Sequence, residues 1–268
     1  MIADTVAAAV AAFNAGNMEL ASHICLQIVQ GETGDPGAHQ LLSLIALEQG
    51  QLAVAREHIG CSLRQRPDHV PALVIAGKVA RAEGDLGTAI VYCQQAVVLS
   101  PADFESNYLC ALLILEQGDL MVAKRLFERL VDLHPRNALA WAALGSVLQQ
   151  TGLAQTAITA LERALALEPR LGEAWFNLGL ARQDMQDMQG AAAAFLSAFE
   201  LRPDYAEAAV NLGIVLQEQG KRDQAMLFYS KAYKLRPASF ARIANALAAS
   251  PHGKQWLDLS ALRAVLAA

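Results

Sequence analysis

The chain has 268 residues, of which 54% are hydrophobic and 18% charged, and a formal net charge of -5. That much apolar material rules out a disordered tail, and the charge balance argues against a nucleic-acid partner, whose phosphates need a concentrated basic face. The acidity sits at the N-terminal end, because Asp4, Glu19, Glu32, Asp35 and Glu48 precede the first basic side chain, Arg56, and the remaining 21 acidic and 21 basic residues cancel.

A glycine recurs every 34 residues at Gly16, Gly50, Gly84, Gly118, Gly152 and Gly220, and a proline keeps the same step at Pro67, Pro101, Pro135, Pro169, Pro203 and Pro237. A period of this size marks a stack of two-helix units, each too small to bury its own apolar face. With proline at place 32 of the unit, repeats begin at Ile2, Pro36, Val70, Phe104, Ala138, Gly172 and Ala206 and cover 2–239 as one continuous array. Place 20 is always alanine, from Ala21 to Ala225, and place 8 is always small: Ala9, Ser43, Gly77, Ala111, Gly145, Gly179 and Gly213. Two helices can therefore approach closely there.

Large apolar residues fill complementary places on one helical face: Trp141 and Trp175 at place 4, Leu42, Leu144, Leu178 and Leu212 at place 7, and Phe127, Leu161, Phe195 and Tyr229 at place 24. Glycine at place 15 ends the first helix, and Asp85, Asp119, Asp187 and Asp223 are placed to cap the second. Asp68, Asp103, Asn137 and Asp204, just past each proline, are placed to cap the next unit. Two departures stand out: Thr33 replaces proline after the first repeat, and Gln186 replaces glycine, which predicts an altered turn near Asp184 to Asp187. Phe240 to Ala249 continues the phase as the first helix of an eighth unit until Ser250-Pro251-His252-Gly253 interrupts it. Trp256-Leu257 and then Leu259, Leu262, Val265 and Leu266 predict an amphipathic helix that covers the last exposed face of the array, so 240–268 reads as an incomplete repeat and cap. The alternative is that this segment docks in another molecule's groove and supports self-association.

These residues resemble the tetratricopeptide repeat family, most plainly in Trp141-Ala-Ala-Leu144-Gly145 with Ala157, Ala164 and Pro169, and in Trp175-Phe-Asn-Leu178-Gly179 with Ala191, Ala198 and Pro203. The resemblance implies an all-α fold, a right-handed α-solenoid of stacked antiparallel helix pairs whose first helices line a concave side. Places 5, 9 and 12 form a stripe beside the core places, and by that resemblance they look into the groove. The first four repeats offer Phe13, Leu44, Leu47, Val74, Tyr108, Leu112 and Leu115 there, a large apolar surface that reads as a partner site. Lys78 and Arg81 are the stripe's basic residues and would pair with an acidic residue or chain-end carboxylate of a partner. The last three repeats add Phe176, Leu180, Val210 and Ile214 and a row of amides, Gln149, Gln183 and Gln217 with Asn177 and Asn211. Such amides either bond the backbone of an extended peptide, similar to the asparagine ladder of O-linked sugar transferases, or bond from repeat to repeat.

The expected function is a non-enzymatic protein-interaction scaffold that binds a peptide or helix in the groove. The alternative is a substrate-recruiting arm or subunit of a transferase such as an O-linked glycosyltransferase. No catalytic residue, cofactor or metal is expected, because the sequence holds no phosphate-loop, dinucleotide or His-Glu-x-x-His motif. Cys25, Cys61, Cys93 and Cys110 form no Cys-x-x-Cys pair and read as free thiols, three of them in the core, and the proximity of His23 to Cys25 and of His58 to Cys61 is too little for a metal site. Membrane insertion is not expected, since the least charged run, Leu86 to Ala102, contains Gly87, Gln94, Gln95 and Pro101. Asp4 and the lack of a basic residue before the alanine-rich start do not fit a secretory signal, so a cytoplasmic location is the expectation.

Overall fold

The computed structural model describes residues 5–30, 34–249 and 259–267. Ile2, Thr33, Ser250 to Gly253 and Trp256-Leu257, which carried the expectations for the first boundary and the interrupted tail, lie outside the described residues. The chain divides into two compact units, one through Leu126 and one from Phe127. The first unit contains α1 (Val6–Asn14), α2 (Met18–Val29), α3 (Pro36–Glu48), α4 (Leu52–Gln65), α5 (Val70–Ala82), α6 (Leu86–Leu99), α7 (Phe104–Glu116) and the start of α8 (Leu120–Leu133). The second contains the end of α8, then α9 (Ala138–Gln150), α10 (Ala154–Leu167), α11 (Gly172–Asp184), α12 (Met188–Leu201), α13 (Ala206–Glu218) and α14 (Arg222–Leu235). It closes with a 3-10 turn (Pro237–Ser239), α15 (Phe240–Ala249) and α16 (Leu259–Ala267).

Local chemistry sets the helix ends. Gly220 sits at φ 77°, and its N–H donates to Gln217 O at 2.9 Å while the Lys221 N–H reaches Leu216 O at 2.9 Å. Gln186 holds the same left-handed turn at φ 60°, with Gln186 N–H to Gln183 O and Asp187 N–H to Arg182 O both at 2.9 Å. The altered turn expected there is thus corrected: the bond pattern is kept and a side-chain-bearing residue carries the backbone strain. Asp85, Asp119 and Asp187 accept from Thr88, Val122 and Gly190 N–H as caps, as Asp103 and Asn137 do from Ser106 and Ala140. Asp223, Asp68 and Asp204 do not, because Lys221, His69 and Tyr205 stand at the cap positions of their helices.

In the first unit α1 with α2, α3 with α4 and α5 with α6 form hairpins, and α1, α3, α5 and α7 lie side by side in sequence. In the second, α9 with α10, α11 with α12 and α13 with α14 form hairpins, and α15 packs on α13 and α16 on α14. Ile243, Leu247, Leu262 and Leu266 are buried with Val215, Leu216, Ala225 and Tyr229, and the Ser230 hydroxyl donates to Leu266 O at 2.8 Å.

The helix pairs touch where place 8 meets places 20 and 24. A Cβ on Gly145, Gly179 or Gly213 would lie 2.5 Å from Leu161, Phe195 or Tyr229 respectively, so in the second unit glycine is the partner of a large place-24 side chain. In the first unit place 24 holds the small Cys25 and Cys93 and the β-branched Ile59, all buried. There Ala9 and Ser43 fit at place 8, and the Ser43 hydroxyl donates to Ala55 O at 2.8 Å. At Gly77 an added Cβ would instead lie 3.1 Å from Leu109 Cδ2 of the next repeat, 3.4 Å from Ala89 O and 3.9 Å from Tyr92 Cβ. Cys25, Cys93 and Cys110 are buried and free. Burial, with Asp35 adding, pushes the Cys25 thiol up to about 11, and the Cys93 thiol is raised by its hydrogen bond with Cys110 and then by burial.

His58 faces His39, Nδ1 to Nδ1 at 3.0 Å, while Cys61 Sγ accepts from Arg64 at 2.9 Å. Burial lowers both histidines; His58 and Arg64 lower His39 further, against the opposing pull of Asp35 and Glu57, and Glu57 likewise opposes the shift of His58. The folded first unit therefore favours the neutral rings.

Three outcomes follow from this packing. In urea denaturation Gly179→Ala loses about 1–2 kcal/mol, because overpacking against the Phe195 ring exceeds the ~1 kcal/mol gain in helix propensity, whereas Gly77→Ala is near neutral, since only the tip of Leu109 must shift. Gln186→Gly gains about 1 kcal/mol by relieving the left-handed strain, read as a higher melting temperature. The neutral-histidine contribution is full above the unfolded-state pKa of about 6.5 and falls as pH drops through and below it; acidification from neutrality lowers the melting temperature, and His58→Gln flattens that slope.

Candidate functional site

Places 5, 9 and 12 lie on the first helix of each repeat, turned away from the close contact at place 8. In the first unit Phe13 on α1, Leu44 and Leu47 on α3, and Tyr108, Leu112 and Leu115 on α7 are half-buried. Their inner atoms join the core, as Phe13 does with the α1–α3 cluster and Leu44 and Leu47 with the α3–α5 cluster, and their outer atoms remain accessible. Tyr108 stacks on Phe104, ring centroids 5.4 Å apart. Val74, at the middle of the row on α5, is 5% exposed and belongs to the core.

The basic pair of the stripe is already engaged. Lys78 Nζ meets Glu105 Oε2 at 3.2 Å and Arg81 Nε meets Glu116 Oε2 at 2.6 Å, so each cation on α5 is answered by a carboxylate on α7. This corrects the expectation of two cations waiting for a partner's carboxylate. All four side chains are about half exposed, and such pairs contribute at most about 1 kcal/mol. Their effect is local neutrality beside the apolar row.

The amide row of the second unit is mostly spoken for. Gln149 Nε2 donates to Asp184 Oδ2 at 2.9 Å, across the same 35-residue step as Arg81 to Glu116. Gln217 Nε2 donates to Ala246 O at 2.9 Å and its Oε1 accepts from the Tyr229 hydroxyl at 3.1 Å. Asn211 Oδ1 accepts from Arg242 of α15, and its Nδ2 is buried without a partner. Val210, Asn211 and Gln217 are 2%, 3% and 4% exposed, because α15 packs over α13 as a further first helix. They are interior residues, a correction to their expected place in an open groove. Asn177, Leu180, Gln183 and Ile214 stay half-buried, and Gln183 lines an open depression with Asp184, Gln186, Met188 and Glu218. Phe176 lies between the rings of Phe195 and Tyr205, at 5.6 and 4.9 Å, where burial, with Glu173 and Glu207 adding, pushes the Tyr205 hydroxyl up to about 12.

Sequence reasoning left repeat-to-repeat bonding of the amides as one of two readings and missed the carboxylate partners of Lys78 and Arg81. The available signal was a long polar side chain at place 12 followed 35 residues later by an acid at place 13. It also missed the donors at place 4, where the indoles of Trp141 and Trp175 and the amide of Asn107 reach the carbonyls of Pro135, Pro169 and Pro101 six residues back. Among the described residues no three His, Cys, Asp or Glu side chains gather as a metal site, and no helix is long and apolar enough to cross a membrane.

Comparison with known proteins gives consistent results. A search of curated proteins finds no match. Among solved structures, a crystal structure of MamA is 26% identical, covers 61% of this chain and 95% of its own, and superposes with a TM-score of 0.54. YrrB, described as a TPR protein with an unusual peptide-binding site, is 21% identical over 68% of this chain and 94% of its own, with a TM-score of 0.54. The APC/C hetero-tetramer Cut9-Hcn1 is 19% identical over 84% of this chain and 45% of its own, with a TM-score of 0.75. The model of the tetratricopeptide repeat matches residues 41–104, 111–170, 144–182 and 176–240. With most of its length matched in repeat after repeat, and helix pairs packed as that repeat requires, the chain belongs to the tetratricopeptide repeat family.

Proposed function

We propose that the protein is a non-enzymatic interaction scaffold that binds a peptide or helix along the first helices of its first unit. Tetratricopeptide repeats are in general protein-interaction modules, and the finer reading rests on one observation: Phe13, Leu44, Leu47, Tyr108, Leu112 and Leu115 are only half-buried after the helices have packed. A row of large apolar side chains with accessible outer atoms gains from being covered, roughly 25 cal/mol per Å2 before the ordering cost of a partner. The neutral pairs Lys78–Glu105 and Arg81–Glu116 beside it impose no net charge on the ligand, so a segment with an uncharged apolar face fits best.

The transferase-arm alternative draws on fewer side chains. Of its five amides, Gln149, Asn211 and Gln217 are bonded within the second unit, which leaves Asn177 and Gln183 as the remaining members of the row.

Leu112→Glu plus Leu115→Glu places two charges on α7 without touching the place-8 contact. In affinity capture followed by mass spectrometry, the double variant loses the wild-type's partners by tenfold or more while circular dichroism shows unchanged helix content. Retention of the same partners rejects the groove. Gln183→Ala, on the second unit, leaves capture unchanged under the scaffold reading and weakens it under the transferase-arm reading.

A further inference from the structure

The core of the first unit holds two thiols in contact. Cys93 on α6 stands at place 24 of its repeat, and Cys110 on α7 stands at place 7 of the next. In other repeats the same two places carry Cys25 with Leu42, Phe127 with Leu144 and Phe195 with Leu212. Helices α6 and α7 pack together, both cysteines belong to one apolar cluster with Leu73, Leu109 and Leu113, and the Cys93 S–H donates to the Cys110 sulfur. A second acceptor for that S–H is Ile90 O at 3.1 Å. The two sulfurs differ in access, since Cys93 is fully buried and Cys110 keeps 7% exposure. They differ in acidity as well. The bond from Cys93 lowers the Cys110 thiol, against the opposing pull of burial, so Cys110 is the one that yields thiolate, the nucleophilic form.

We propose that Cys93 and Cys110 form a reversible disulfide when the protein meets a peroxide, with Cys110 as the attacking sulfur and Cys93 as the resolving one. The Cys110 thiolate attacks one oxygen of hydrogen peroxide, the O–O bond breaks, hydroxide leaves, and a sulfenic acid remains on Cys110. The Cys93 sulfur then attacks the Cys110 sulfur, the S–O bond breaks, and the departing hydroxide takes the Cys93 proton to become water. Two thiols and one peroxide give one disulfide and two waters, the sulfurs losing the two electrons that the peroxide gains. Contact between the thiols favours this route, because the sulfenic acid condenses with its neighbour before a second oxidation turns it into the irreversible sulfinic acid. A dithiol reductant reverses the bond by exchange. The S–S bond of about 2.05 Å is shorter than a hydrogen-bonded thiol contact, so forming it draws α7 toward α6. It ties the third repeat to the fourth and needs nothing from the first-helix groove.

Peptide mapping of the intact, folded chain after treatment with hydrogen peroxide tests it. Cleavage at glutamate separates the two cysteines at Glu105. The expected product is a link between the Cys93 and Cys110 peptides of one chain, opened by dithiothreitol and formed at least tenfold faster than Cys25, buried without such a neighbour, is oxidised. Cys93→Ser and Cys110→Ser, each checked by circular dichroism, both lose the link. Cys93→Ser leaves a sulfenic acid on Cys110 that dimedone traps, whereas Cys110→Ser leaves the Cys93 thiol unoxidised. Leu112→Glu plus Leu115→Glu forms the link as the wild type does, which keeps the fate of this inference distinct from that of the groove. A wild type whose two thiols both survive the peroxide overturns the proposal. So does one in which Cys110 goes to sulfinic acid without a link, and so does a link that joins Cys110 to Cys61 or to a second chain.

Discussion

The close approach of the two helices within a repeat governs the rest of the molecule. At place 8 one helix presents almost no side chain, and at place 24 the other presents whatever volume fills the gap. The second unit satisfies this with glycine against Leu161, Phe195 and Tyr229, where a Cβ has no room. In the first unit place 8 holds Ala9 and Ser43, with Cys25 and Ile59 buried at place 24. At Gly77 the space beside the missing Cβ is taken by Leu109 of the next repeat, with Ala89 O and Tyr92 Cβ next nearest. Interiors packed at crystal-like density leave no other option, since an unfilled gap forfeits contacts on every side.

This constraint explains how much was legible in the sequence. A glycine, an alanine and a proline at fixed steps report backbone requirements, and those do not depend on neighbours, so the helix starts at Pro36, Val70, Phe104, Ala138, Gly172 and Ala206 could be read from spacing. Gln186 shows the limit of that reading. The turn is set by the hydrogen bonds of residues around it, so losing the glycine changes the strain and leaves the path of the chain as it was.

The site was less legible for a different reason. Which face a residue occupies follows from helical period, but whether its polar group is free follows from what lies one repeat away. Lys78, Arg81 and Gln149 stand at stripe places, yet each finds a carboxylate on the next first helix at Glu105, Glu116 and Asp184. Asn211 and Gln217 were likewise placed on the first-helix stripe and are then covered by α15, whose Arg242 and Ala246 take up their amides. Long polar side chains reach across a repeat spacing, whereas apolar ones only touch what is directly beside them. Periodicity therefore describes the apolar part of a solenoid surface better than the polar part.

The same reasoning accounts for why an apolar row remains accessible at all. Core places 4, 7, 8 and 11 turn one side of each first helix toward its partner helix, and side-by-side packing of α1, α3, α5 and α7 covers the flanks. Places 5, 9 and 12 lie between these two directions, so at Phe13, Leu44, Leu47, Tyr108, Leu112 and Leu115 packing takes the inner atoms and leaves the outer ones accessible. Val74 sinks into the cluster it shares with Leu109, Cys110 and Leu113, while Phe13 on α1, Leu47 on α3 and Leu115 on α7 stay half-buried. Polar residues also stand at or beside these places, as Gln149, Asn177 and Gln183 do in the second unit. The apolar choice in the first unit is therefore not something the stack demands, and that is the physical ground for reading it as a surface made to be covered.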